Sequence, residues 1–73
     1  MKLPVVSGES LIKFLTHHGF IVVRQHGSHV TLKRVNMPHT HVTVPLHNTL
    51  KKGTLLNILN QAEIDKTEFT SKI

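Results

Sequence analysis

The chain has 73 residues and no cysteine, and nine Lys and Arg against four Asp and Glu give a formal net charge of +5 before its seven histidines are counted. This length supports one domain, 1–73, which buries only about 60% of the surface its unfolded form exposes, and without thiols it has no disulfide staple and no thiolate metal site. The charge and a sequence pI near 10.1 point to a polyanionic partner, while three Phe with no Trp or Tyr exclude a stacking platform for unpaired bases, so binding runs through phosphates and sugars.

Apolar runs such as Phe20-Ile21-Val22-Val23 are too short for a membrane span or a signal-peptide core, so a soluble, unprocessed cytoplasmic protein is expected. The basic residues are spread along the chain and do not line one amphipathic helix, which favours nucleic acid over an anionic membrane. In chain order, Ser7 precedes a helical pattern with Glu9 in its first turn and Leu11, Ile12, Leu15 and His18 at helical spacing, stopped by Gly19. The β-branched stretch Phe20 to His26 is separated from His29-Val30-Thr31-Leu32-Lys33 by Gly27-Ser28, a pair suited to a type II′ hairpin turn. A looser segment from Arg34 to Thr40, with Asn36 and Pro38, leads to His41-Val42-Thr43-Val44, which alternates as a strand and is closed by Pro45. Leu55, Ile58, Leu59 and Ala62 mark one face of a second helix starting near Gly53-Thr54. Asp65 with Glu68 resembles a capping box, and Ile64 with Phe69 its hydrophobic staple, which leaves room for a short C-terminal helix.

The order predicts an α+β fold: helix, three-stranded antiparallel sheet, helix, with both helices on one face and the other face free for ligand. A two-residue turn at Gly27-Ser28 pairs His26 with His29 and puts Arg24, Thr31 and Lys33 on their face, with Val23, Val30 and Leu32 toward the helices. In the third strand His39, His41 and Thr43 alternate against Val42 and Val44 in the same way. The outward face is then basic and rich in histidine. The same register turns Phe20 and Val22 outward, which demands either a bulge or an apolar contact with a partner.

Three constellations bear on chemistry. Cleaving RNA through its 2′-hydroxyl needs a base for the attacking oxygen and an acid for the departing one, and histidine, with an unperturbed pKa near 6.5, serves as either. His29 fits the base, His26 lies opposite it, and Arg24 or Lys33 offers a cation for the charge developing at phosphorus; surface histidines on a solvated sheet would produce the same pattern. Lys51-Lys52-Gly53 opens the second helix, where the dipole makes lysine unfavourable unless a phosphate is bound. Those lysines with the Gly53 amide, and His47 in the preceding loop, form a candidate phosphate cradle; alternatively the lysines only solubilise a loop. A metal site from His39, His41, His26 and His29 lacks a carboxylate or cysteine nearby in sequence, so neither metal nor other cofactor is expected.

Read together, Ser7-Gly8 before a helix, His18-Gly19-Phe20, Val23-Arg24-Gln25 leading into Gly27-Ser28-His29, Val42-Thr43-Val44-Pro45-Leu46-His47, Leu50-Lys51-Lys52-Gly53-Thr54-Leu55 and Ile58-Leu59 make the chain resemble the HicA family of mRNA interferase toxins. The resemblance implies a double-stranded-RNA-binding-domain-like fold and sequence-relaxed, metal-independent endoribonuclease activity on mRNA. It also implies a catalytic histidine in the Gly-Ser-His motif, here His29, and neutralisation by a HicB-type antitoxin in a type II toxin–antitoxin pair. The antitoxin would cover outward apolar groups such as Val22. His26 departs from the family pattern, so any catalytic part for it is a local expectation. Two other classes compete: a noncatalytic double-stranded-RNA-binding module, which needs no histidine at the hairpin, and a protein-binding adaptor, which would tolerate neutralisation of Lys51 and Lys52.

Overall fold

The structure, a computed structural model, describes residues 3–72 apart from the side chain of Pro38. Helix α1 (Gly8–Thr16) starts where the Ser7 hydroxyl oxygen accepts the Ser10 N–H at 3.1 Å, with Glu9 in the first turn. Its buried face is Leu11, Phe14 and Leu15. Gly19, at φ +88°, then turns the chain into the sheet, a conformation that glycine adopts without a Cβ penalty.

Strands β1 (Phe20–His26), β2 (His29–Arg34) and β3 (Met37–Pro45) form an antiparallel sheet in that order. At the β1–β2 turn Gly27 has φ +57° and Ser28 does not have positive φ, the signature of a type II′ turn. The expected pairs His26 with His29 and Arg24 with Thr31 are present. Beyond Arg24 the register shifts, because Val23 is an extra residue in β1 and Val22 pairs with Leu32.

This bulge corrects three face assignments. Val23, expected toward the helices, is 45% exposed, and Phe20, expected outward, is 1% exposed and belongs to the core. Val22 shares the side of its buried partner Leu32 but stays 49% exposed on the edge strand. Strand β3 also begins at Met37, inside the segment expected to be loose. Pro38 is tolerated there because β3 is an edge strand, where a missing N–H breaks no ladder bond on the open side.

Helix α2 (Lys52–Gln61) contributes Leu55, Ile58 and Leu59 to the same core as α1 and the inner residues Val30, Leu32, Val42 and Val44. Both helices therefore cover one face of the sheet, and the order is the helix, three strands and helix of a double-stranded-RNA-binding-domain-like fold. Arg34 closes α2: its Nη1 donates to the Ala62 carbonyl at 3.0 Å, while its guanidinium lies 5.5 Å from the Phe20 ring centre. A third helix, α3 (Lys66–Lys72), follows. The Asp65 carboxylate caps it by accepting the Thr67 N–H at 2.7 Å, and Ile64 and Phe69 are both buried, as the staple requires. Phe69 meets Phe14 edge to face at 4.9 Å, which ties α3 to α1.

Candidate nucleic-acid interface

The outward face of the sheet is organised in rows across the strands. His26, His29 and Pro45 form the row nearest the β1–β2 turn, Arg24, Thr31 and Thr43 the next, and Ile21, Lys33 and His41 the third. His29, His26, Arg24, Thr43 and His41 are exposed, and Lys33 and Thr31 are partly covered. Among the described residues no polar or charged side chain is buried. Thr31 Oγ1 and Thr43 Oγ1 lie 3.4 Å apart and bridge β2 to β3 in the middle row.

The row at the turn is fixed by backbone geometry. Gln25 Nε2 donates to the Gly27 carbonyl at 3.0 Å, and the Leu46 N–H donates to the Ser28 carbonyl at 2.6 Å. The second bond fastens the β3–α2 loop to the turn one residue before His47. The His47 carbonyl in turn accepts the Gly8 N–H at 2.9 Å, and the Leu50 N–H donates to Val6 at 2.8 Å. Turn, loop and the start of α1 are thus one hydrogen-bonded end of the molecule. Gly8 makes this contact possible, because a Cβ at that position would lie 1.9 Å from the Pro45 carbonyl oxygen.

Of the sequence-derived site residues, Arg24, His26, His29 and Lys33 share the outward face. His47, Lys51, Lys52 and Gly53 form a second group, all exposed, along the loop and the first turn of α2. Lys51 is the N-cap of α2 and makes no side-chain capping bond, and no acidic residue occupies the first turn. The amides there remain open to an anion. His47 also lines a recess of about 190 Å³ with Ser7, Glu9, Leu46 and Asn48, so Glu9 is a neighbour that strand and helix patterns did not indicate. A larger groove of about 370 Å³, lined by Ser10, Lys13, Phe14, His17, His18 and Lys72, lies on the helical side. Among the described residues no group of three or more His, Cys, Asp or Glu side chains is placed to hold a metal ion, and no helix is long and apolar enough to cross a membrane.

Residues 8–64 match the family described as HicA toxin of bacterial toxin-antitoxin. Neither curated proteins nor solved structures give a match.

Proposed function

The chain belongs to the HicA toxin family, and from that premise we propose that it is a cytoplasmic endoribonuclease that cleaves mRNA without metal and with little sequence preference. His29 is its general base, and Arg24, His26, Lys33, His47, Lys51, Lys52 and Gly53 hold the RNA. The observation that carries this reading is the position of His29: exposed, first in the middle strand, directly beside a fastened turn, and on the same surface as Arg24 and Lys33. A ring held in this way can approach a 2′-hydroxyl while the cations offset the charge that grows on the phosphate oxygens. Its partner as a toxin is a HicB-type antitoxin of a type II pair, which would silence it by covering that surface.

Purified protein is incubated with mRNA in EDTA beside a His29→Ala variant. Cutting by the wild type that falls by about 10²–10⁴-fold in the variant, with RNA affinity kept, is the expected result. Cutting abolished by EDTA would refute metal independence. RNA binding without cutting would leave a noncatalytic double-stranded-RNA-binding module.

A further inference from the structure

The register across the β1–β2 turn sets a second imidazole opposite His29. His26 and His29 are the two residues flanking Gly27-Ser28, they are paired in the ladder, and both are exposed. Directly opposed residues of an antiparallel pair have Cβ atoms on the order of 4.5–5.5 Å apart and project to the same side. Two rings on stems this close can reach either side of one phosphorus atom, within about 2.6–3.2 Å of an attacking and a departing oxygen. Within the ladder the neighbours of the pair are Pro45 on β3, which carries no charge, and Arg24 in the next row of β1. No carboxylate of the sheet competes for either ring, since β1, β2 and β3 contain no Asp or Glu.

We propose that His26 is the second catalytic residue, the general acid of the cleavage, a deepening that rests on the nuclease reading above. In the forward step the O2′–P bond forms as the P–O5′ bond breaks. The 2′-hydroxyl proton passes to His29, and a proton from the imidazolium of His26 passes to O5′. The products are a 2′,3′-cyclic phosphate and a 5′-hydroxyl end, and exchange with water returns both rings to their starting states. The step requires RNA, because DNA has no 2′-hydroxyl. Arg24, one row away, is placed to accompany the charge on the non-bridging oxygens.

The test uses the full chain, its His26→Gln and His29→Ala variants, and two versions of one single-stranded oligoribonucleotide. One has ordinary phosphodiesters, and the other has sulfur in place of a single bridging O5′. A thiolate departs without a proton, so only the role of the acid becomes dispensable on the second substrate. Far-UV circular dichroism first verifies that both variants fold. His26→Gln is expected to cut the ordinary substrate about 10²–10⁴-fold more slowly than the wild type and the sulfur substrate within about threefold of it. His29→Ala is expected to fail on both. Equal losses of His26→Gln on the two substrates, or near-wild-type cutting of the ordinary one, would overturn the role of His26 while leaving the nuclease standing. Rescue of His29→Ala by sulfur would overturn the assignment of acid and base. A wild type that cuts neither substrate would overturn the nuclease reading and this proposal with it.

Discussion

Replacing Gly8 with alanine puts a methyl group into space already held by the backbone of β3. The added carbon would lie 1.9 Å from the Pro45 carbonyl oxygen, 2.9 Å from its carbon and 3.1 Å from Leu46 Cα. All three are main-chain atoms, so no side chain can swing aside. Overpacking of this kind costs about 1–3 kcal/mol, and losing the Gly8 N–H bond to His47 about 0.5–1.5 kcal/mol more. The better helix propensity of alanine returns at most about 1 kcal/mol. The net expectation is about 2–3 kcal/mol of lost stability, a large share of the roughly 4–11 kcal/mol typical of a domain this size. The melting temperature should fall by about 10–20 °C. Gly53→Ala is the matched control, because a Cβ there meets nothing within 4 Å and should stabilise α2 by about 0.4–1 kcal/mol. Urea unfolding followed by far-UV circular dichroism measures both, the chain having no Trp or Tyr for fluorescence. A Gly8→Ala protein within about 0.5 kcal/mol of the wild type would refute the close approach on which this rests.

Three further outcomes are expected. Lys51→Ala and Lys52→Ala should each weaken RNA binding and lower the slope of log affinity against log salt by about 0.7–0.9, read by filter binding across a salt series. Arg34→Ala should cost about 1.5–3 kcal/mol in the same unfolding assay, since it removes a charged donor from the last carbonyls of α2. The Thr67 backbone N–H, helped by the Thr67 side chain and by Lys66, holds the Asp65 carboxyl below its ordinary value of 3.8. Its contribution to α3 is therefore complete above the ordinary value and is lost as pH falls through the lower, folded one. The protection factors of the α3 amides, taken against the intrinsic exchange rate at each pH, should fall below that ordinary value, and Asp65→Asn should flatten the dependence.

Local chemistry made much of this fold legible. Ser7 and Gly19 bound the first helix, Gly27-Ser28 dictates a two-residue turn, and Ile64 with Phe69 marks the third helix, because each acts within a few residues. What escaped the sequence depends on distant neighbours. Four consecutive apolar residues, Phe20 to Val23, read identically with either face inward, so the parity conflict at Phe20 and Val22 calls for a bulge or a partner contact without saying which of the two, or at which residue the bulge falls. Pro38 reads as a breaker until β3 is known to be an edge. The acceptor of Arg34 lies 28 residues away, and Gly8 looks like an ordinary first helical residue until Pro45 is set against it. At the candidate interface the opposition of His26 and His29 follows from turn length alone, whereas the recess joining His47 to Glu9 arises only once α1 meets the β3–α2 loop.

The extra residue at Val23 settles a question of parity. Counting back two at a time from His26 along a regular strand reaches Arg24, Val22 and Phe20, so an unbroken β1 would have to seat all of them on one side. Phe20 would then be lost from the interior, or the histidine and arginine would turn beneath the helices. One supernumerary valine lets the anchoring ring and the cationic end of the same short strand point opposite ways. Shortening the chain by that single residue would set the interior and the proposed RNA-facing surface against each other without altering either His26 or His29.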